Sequence, residues 1–252
     1  MLKEILARIK QGYRTIPYPE GTPQLPERYR GRPQISSENC GAGCGRCLEV
    51  CPNGAIAVAS GKLNIDLGRC LFCGACAAAC PSGAVCFSPE FRMSVSERQH
   101  LVLGDAELPL ARALSEKMLK LFGRSLKLRQ VSAGGCGACE ADTNVLGTVV
   151  FDLGRFGIQF VASPRHADGL LITGPVTKNM ELALRKTYAA LPAPKLVIAV
   201  GACAISGGPY LDHAEVCNGA SEIVPIDLFI PGCPPHPLTI LDGLLRLLNR
   251  IN

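Results

Sequence analysis

The spacing of its cysteines limits what this chain can fold into more than any other feature of the sequence. The 252 residues contain 14 cysteines, of which nine lie between residues 40 and 86, none between 87 and 135, and five between 136 and 233. The first ten residues mix charged with apolar side chains and lack the apolar core of a signal peptide. We therefore expect metal ligands rather than disulfides, in two modules joined by a cysteine-free connector.

The second cysteine run has the spacing of bacterial-type iron–sulfur ligands at every interval. It reads Cys70-x2-Cys73-x2-Cys76-x3-Cys80-Pro81. Three close thiolates on one loop can hold three irons of a cubane, and the proline after the fourth cysteine ends the loop.

The first run departs from this pattern by one residue. It reads Cys40-x3-Cys44-x2-Cys47-x3-Cys51-Pro52, with Gly41-Ala42-Gly43 filling the longer interval. Glycine tolerates many backbone conformations, so a wider loop can absorb the additional residue. A cubane is expected here, and a three-iron cluster without Cys40 is the alternative.

The fourth cysteine of each run binds the cluster of the other run in two-cluster ferredoxins. One [4Fe–4S] cluster is therefore predicted on Cys40, Cys44, Cys47 and Cys80. The other is predicted on Cys51, Cys70, Cys73 and Cys76. Two zinc sites are the competing interpretation, although zinc usually takes two short cysteine pairs.

The second half of the chain alternates strand-like and helical segments. Strands are predicted at 126–131, 158–161, 169–173, 196–200 and 223–226, and helices around 143–155, 177–190 and 238–251. Such alternation predicts an α/β domain with a mostly parallel sheet, whose ligands gather beyond the carboxyl ends of the strands. A third [4Fe–4S] cluster is predicted there on Cys136, Cys139, Cys203 and Cys233, although a mononuclear zinc site would need the same number of ligands.

These observations divide the chain into four parts. Residues 1–35 are an amphipathic helix and a proline-rich arm, and residues 36–90 are a small α+β domain of the two-cluster ferredoxin type. Residues 91–124 are a connector with one helix, and residues 125–252 are the α/β domain. The N-terminal helix is expected to dock on the protein itself or on a partner, with a membrane surface as the alternative.

Further motifs point to a known family. The C-terminal half contains Ser163-Pro164-Arg165-His166-Ala167-Asp168, Thr173-Gly174-Pro175-Val176-Thr177 and Ile230-Pro231-Gly232-Cys233-Pro234-Pro235. With these, residues 125–252 resemble the small subunit of group 4 energy-converting [NiFe] hydrogenases and the homologous B chain of complex I. Residues 1–95, through Arg30-Gly31-Arg32-Pro33 and Gly68-Arg69-Cys70-Leu71-Phe72-Cys73, resemble the two-cluster ferredoxin subunit of formate hydrogenlyase.

The segment around Cys136 favours the hydrogenase side of this resemblance. Complex I B chains are similar but carry adjacent cysteines here, whereas Cys136 and Cys139 are separated by two residues, as in hydrogenase small subunits. The usual Asn-Gly between them is replaced by Gly137-Ala138, which leaves the hydrogenase subgroup open.

The resemblance implies a flavodoxin-like sheet domain and an electron-transfer role without a catalytic centre. The third cluster would be the proximal one, passing electrons to or from the nickel–iron site of a separate [NiFe] hydrogenase-type large subunit. Integral membrane subunits, and a further ferredoxin or dehydrogenase subunit, are the other implied partners. The subunit would be cytoplasmic and peripheral on the inner face of the cell membrane. A complex I-like oxidoreductase without nickel and a free-standing electron carrier are the alternatives.

Several residues near these motifs have no settled role. Glu140 is a candidate for proton movement or for capping its loop, and Arg165 and His166 are candidates for a partner surface or for a local ion pair. Cys86 and Cys217 lie outside the three sets. Cys86, on an apolar stretch, is expected to be a buried free thiol, and Cys217 a buried or surface free thiol.

The net charge of +5, which counts every cysteine as neutral, does not indicate nucleic acid. No long run or stripe of Lys and Arg accompanies it. Each oxidised cubane with four thiolates adds roughly −2, so three clusters would bring the chain close to neutrality.

If all three predicted clusters form, iron and acid-labile sulfide should each amount to roughly 12 atoms per chain. Colorimetric iron and sulfide assays on the anaerobically purified protein check this number. A value near eight would contradict either the first run or the third set.

Overall fold

The computed structural model describes residues 2–41, 43–59 and 61–251. The helices are α1 (Leu2–Gln11), α2 (Arg46–Glu49), α3 (Ala75–Ala79), α4 (Glu116–Phe122), α5 (Ala138–Val145), α6 (Lys178–Ala190), α7 (Gly201–Ser206) and α8 (Pro237–Leu247). The strands are β1 (Pro33–Ile35), β2 (Ile56–Ala59), β3 (Lys62–Asp66), β4 (Val85–Phe87), β5 (Val102–Leu103), β6 (Leu126–Ser132), β7 (Ile158–Phe160), β8 (Gly169–Thr173), β9 (Leu196–Val200) and β10 (Leu228–Ile230).

The C-terminal domain is built on a five-stranded sheet in the order β10-β9-β8-β6-β7, with every pair parallel. The two central strands, β8 and β9, consist of buried residues throughout, as expected of strands covered on both faces. The predicted fold class, a parallel-sheet domain preceded by a ferredoxin-like domain, is confirmed.

The ferredoxin-like domain contains two small antiparallel sheets. Strands β1 and β4 form one, and β2, β3 and β5 form the other. Strand β5 lies in the segment predicted as a connector, so this segment completes the first domain's sheet. The same segment also reaches the second domain, because Val95 forms a backbone bridge with Phe229.

Two predicted elements are placed differently by the structure. The strand predicted at 223–226 is wrong: residues 223–226 form no strand, and β10 begins at Leu228. Pro225 cannot donate to a strand ladder, and Val224 instead packs in the core beside α6. The helix predicted around 143–155 begins earlier, since α5 runs over Ala138–Val145 and a 3₁₀ helix follows at Leu153–Phe156.

Helix α8 differs in environment from the amphipathic helix that was predicted there. Every one of its residues is buried, including Asp242 and Arg246, whose carboxylate and guanidinium form an ion pair at 2.9 Å. The hydroxyl of Tyr18 donates a hydrogen bond of 2.8 Å to the same carboxylate. The proline-rich arm is thereby fixed to the centre of the C-terminal domain.

Helix α1 forms where it was predicted, and none of its residues is buried. Its apolar side chains Leu2, Ile5, Leu6 and Ile9 are all exposed. The described residues therefore do not cover its apolar face.

We expect Tyr18→Phe to lower the free energy of unfolding by about 1–3 kcal/mol, because the buried Asp242 carboxylate loses a hydrogen-bond donor. Chemical denaturation of the two proteins, with equal iron content, measures the difference. Tyr13→Phe is the matched control, since Tyr13 is 88% exposed. Equal stability of Tyr18→Phe and Tyr13→Phe would contradict the anchoring role of Tyr18.

Candidate iron–sulfur sites

The first set of four thiols surrounds one cavity in the ferredoxin-like domain. Cys40, Cys44, Cys47 and Cys80 line this cavity, which has a volume of about 170 Å³. Cys47 lies in α2, and Cys80 follows the last residue of α3. Burial raises the pKa of Cys47, and the charges of Cys40, Cys80 and Cys44 raise it further.

The second set is more enclosed. Cys51, Cys70, Cys73 and Cys76 line a smaller cavity of about 20 Å³. Burial, followed by the charges of Cys76, Cys51 and Cys73, raises the pKa of Cys70 to about 12. Backbone N–H groups of Phe72 and Ala55 donate to the sulfurs of Cys70 and Cys51 at 3.3 and 3.2 Å, a contact that tunes cluster potentials in such proteins.

Each cavity is lined by three cysteines of one run and by the fourth cysteine of the other run, as the ferredoxin pattern predicts. Cys80 comes from the second run but lines the first cavity, and Cys51 comes from the first run but lines the second. Their assignment as cluster ligands stays a prediction, and the fold supplies the geometry on which it depends.

The third set comes from three segments at the carboxyl ends of β6, β9 and β10. Cys136 lies in the loop after β6 and Cys139 in the first turn of α5, Cys203 lies in α7 directly after β9, and Cys233 follows β10. Burial raises the pKa of Cys139, and the charges of Cys203, Cys233, Glu140 and Cys136 add to it. Burial likewise raises the pKa of Cys203 to about 12, with Cys233 and Cys136 as the next contributors. The four thiols therefore influence one another as members of one site.

Two glycines leave room for the buried sulfurs of this third set. A Cβ atom on Gly201 would lie 2.5 Å from the sulfur of Cys139, and one on Gly208 would lie 2.6 Å from the sulfur of Cys203. Both glycines also have positive φ values, 89° and 56°, which other residues rarely adopt. Sequence reasoning missed this requirement, because a glycine beside a cysteine carries no signal of which sulfur it faces.

The chemistry of the three thiol sets fits iron–sulfur clusters. Raised pKa values mean that the buried thiols prefer their protonated form when no positive charge lies among them, and bound iron supplies that charge. Thiols arranged around a space suit a cluster, in which each cysteine binds a different iron. Among the described residues, no group of three or more His, Cys, Asp or Glu side chains is placed to hold a single metal ion.

The second and third sets meet at the boundary between the two domains. Neighbouring atoms partly desolvate the exposed Cys233 thiol and so raise its pKa, and the charges of Cys136 and then Cys73 raise it further. The boundary is closed by a hydrogen bond of 2.8 Å from the Ser206 hydroxyl to the carbonyl of Gly68. Sequence gave no sign of this proximity, since 160 residues separate the two cysteines.

Glu140 joins α5 to the sheet. Its carboxylate accepts a hydrogen bond of 2.5 Å from the Thr173 hydroxyl at the end of β8. Burial opposes ionisation, but hydrogen bonds from the Ser132 and Thr173 side chains lower the pKa of Glu140 overall. This geometry supports the loop-capping interpretation.

The remaining candidates lie apart from the three sets. Arg165 and His166 are exposed and, within the part of the chain that the structure describes, form no ion pair. The thiol of Cys86 is 3.7 Å from the side-chain oxygen of Gln34, and that of Cys217 is 3.6 Å from a carboxylate oxygen of Glu181. Cys86 is exposed rather than buried, and Cys217 is partly buried. Their role as free thiols stays a prediction.

A fold with convergent thiol sets defines an iron–sulfur protein of the electron-transfer class. Residues 39–84 match the sequence model of the 4Fe-4S dicluster domain, and residues 136–247 match that of the family described as NADH ubiquinone oxidoreductase, 20 Kd subunit. The chain therefore joins a 4Fe–4S dicluster domain to a domain of the NADH ubiquinone oxidoreductase 20 kDa subunit family, and it is an electron-transfer subunit of that class of oxidoreductase.

Two solved structures are similar to parts of this chain. One belongs to the membrane-bound sulfane sulfur reductase, an archaeal respiratory membrane complex; it is 34% identical over 54% of this chain and 75% of that chain, with a TM-score of 0.47. The other is an NAD⁺-reducing [NiFe]-hydrogenase in the H₂-reduced state, 24% identical over 51% of this chain and 94% of that chain, with a TM-score of 0.41. No helix within the described ranges is long and apolar enough to cross a membrane.

Replacing Gly201 by alanine should remove the third cluster alone, because the new methyl group collides with the sulfur of Cys139. Iron should fall from roughly 12 to roughly eight atoms per chain. Gly147→Ala is the control, since a Cβ atom there would meet only the Asn144 carbonyl oxygen at an ordinary 3.4 Å. Full iron content in Gly201→Ala would contradict the proposed position of the cluster.

Proposed function

We propose that this chain is the electron-transfer subunit of a membrane-associated [NiFe] hydrogenase complex of the formate hydrogenlyase type. It would carry three [4Fe–4S] clusters and pass electrons to or from the nickel–iron site of a separate large subunit, where H₂ is formed or oxidised. The proposal combines the family resemblance of both halves with the convergence of twelve thiols into three sets.

The observation that carries the proposal is the neighbourhood of Cys73 and Cys233. Cys73 belongs to the second set and Cys233 to the third, and the charge on one thiol alters the pKa of the other. Because α2 and α3 pack together, the first and second sets are neighbours as well. The three sets therefore follow one another through a single chain, as an electron conduit requires.

Bound clusters would supply one-electron transfer, and the residues of this chain would hold and insulate them. Phe72 and Cys70 are buried together at the second set, with Ile205 and Phe229 of the C-terminal domain in the same hydrophobic core. This shared core joins the two domains beside the second and third sets. It also fixes their separation within one polypeptide, where two separate subunits would need a docking step.

The exposure of the third set supports a partner on that side of the molecule. Cys139 and Cys203 are buried, whereas Cys136 and Cys233 are exposed. A site that is open on one side suits exchange of electrons with a centre on another subunit. We place the large subunit against the Cys136 and Cys233 loops.

The location of the complex is proposed on the same basis. The chain would sit on the cytoplasmic face of the membrane, attached through integral membrane subunits, with a further ferredoxin or dehydrogenase subunit as electron donor or acceptor.

The second candidate is the equivalent subunit of a complex I-like oxidoreductase whose large subunit lacks nickel. It is favoured by the family model that matches residues 136–247, which is described by an NADH ubiquinone oxidoreductase subunit. Metal analysis of the complex purified through this chain separates the two: nickel in the large subunit supports a hydrogenase, and its absence together with absent H₂ turnover supports the second candidate.

Cys139→Ser should abolish H₂-linked electron transfer in the purified complex, because one of the two buried thiols of the third set is lost. The electron paramagnetic resonance signals of the two ferredoxin-type clusters should persist. Cys217→Ser is the control, since Cys217 belongs to none of the sets, and it should retain turnover. Retained turnover in Cys139→Ser would contradict the third set as the terminal site of the conduit.

A further inference from the structure

The arm segment Tyr29–Arg32 crosses the molecule beside the boundary between the second and third thiol sets. Its backbone is bound to the segment that follows β4. Gly31 N–H donates to the Ser88 carbonyl at 2.9 Å, Arg32 N–H donates to the Glu90 carbonyl at 2.7 Å, and Ser88 N–H donates back to the Arg32 carbonyl at 3.1 Å. Three backbone hydrogen bonds therefore fix the position of this segment, as they would in a short strand pair.

Glycine at position 31 makes this close approach possible. A Cβ atom there would lie 2.2 Å from the Glu90 carbonyl oxygen, which is less than any real contact allows. On the other side of Arg30, the ring of Tyr29 packs edge-on against His236, with 5.2 Å between the ring centroids. His236 lies three residues after Cys233. Arg30 is thus held between two anchors, one of them beside the third set.

The side chain of Arg30 lies over the loop of the second set. A Cβ atom on Gly74 would be 3.2 Å from Cδ, 3.3 Å from Nη1 and 3.7 Å from Cζ of Arg30. Gly74 directly follows Cys73 and has a φ of 80°, which begins the turn into α3. The guanidinium is exposed and, among the described residues, no acidic side chain pairs with it. Its positive charge therefore acts on the Cys73 loop without local neutralisation.

We propose that Arg30 is a tuning residue that raises the reduction potential of the cluster held by Cys51, Cys70, Cys73 and Cys76. This inference rests on the proposed function. Reduction by one electron makes the cluster more negative, and a nearby positive charge stabilises the reduced form. Because Cys73 is the thiol of the second set whose charge raises the pKa of Cys233, Arg30 would favour arrival of the electron at the step before the third set.

The test is a redox titration of the full-length, cluster-loaded chain with dithionite and mediators, followed by electron paramagnetic resonance. Arg30→Gln should shift the reduction equilibrium of one cluster toward the oxidised form by about three- to tenfold, where tenfold corresponds to 59 mV for a one-electron couple. The shifted signal should be the one that Cys73→Ser perturbs. The other two clusters should keep their potentials.

Three further variants separate charge from structure. Arg30→Met keeps the apolar stem that packs on Gly74 and should shift the potential as Arg30→Gln does. Arg30→Lys keeps the charge and should restore most of the potential of the unmodified chain. Arg28→Gln removes an exposed arginine two residues earlier in the arm and should change nothing.

Ionic strength gives a second readout. Exposed charges are screened over roughly 10 Å at 0.1 M salt, so the difference between the unmodified chain and Arg30→Met should shrink as salt is added. Unchanged potentials in both Arg30→Gln and Arg30→Met would overturn the inference. A shift in Arg30→Lys as large as that in Arg30→Gln would overturn it as well, because lysine keeps the positive charge.

Iron content distinguishes failure of this inference from failure of the proposed function. A chain with full iron and an unshifted potential in Arg30→Met refutes the tuning role and leaves the electron conduit intact. A chain that binds no iron under anaerobic reconstitution refutes the conduit, and the tuning role with it.

Discussion

Buried thiols that lie close together cannot all ionise unless positive charge lies among them. Burial and the neighbouring sulfurs raise the pKa of Cys70, Cys139 and Cys203, so each site favours thiols when empty and thiolates when it holds a cation. This electrostatic requirement links folding to cluster assembly. The cysteines lie on glycine-rich loops and in the short helices that follow them.

The strands fix the positions of the segments that carry the cysteines. Parallel strands bring their carboxyl ends to one edge of a sheet, and β6, β9 and β10 deliver the third set there. Glycine is required where backbone and sulfur come closest, as at Gly201. The proline-rich arm is attached to both domains. Tyr18 donates a hydrogen bond to Asp242 in the buried helix α8, and Gly31 lies close against the Glu90 carbonyl.

Local patterns predicted much of this arrangement. The ferredoxin spacing indicated that Cys80 and Cys51 would each join the cluster of the other run, and the predicted strand ahead of Cys203 was sufficient to place that cysteine at a sheet edge. Periodicity failed where a proline interrupted an apolar run, as at Pro225, and where a glycine-rich loop hid the start of a helix, as at Ala138. The proximity of Cys73 to Cys233, and of Arg30 to Gly74, depends on packing between distant segments, which one sequence does not encode in any local signal.

The shared core between the domains has a consequence for how such a chain can vary. Ala199, Ala204, Ile205 and Phe229 belong to the C-terminal domain, yet they pack in one hydrophobic cluster with residues of the ferredoxin-like domain. In the segment between the domains, strand β5 pairs with β3 of the ferredoxin-like domain, and Val95 pairs with Phe229 of the C-terminal domain. The sequence boundary between the two family matches is therefore not a boundary at which the folded protein could be divided into two separate domains. Divergence on either side of that boundary must proceed in step, since each half forms part of the other's interior.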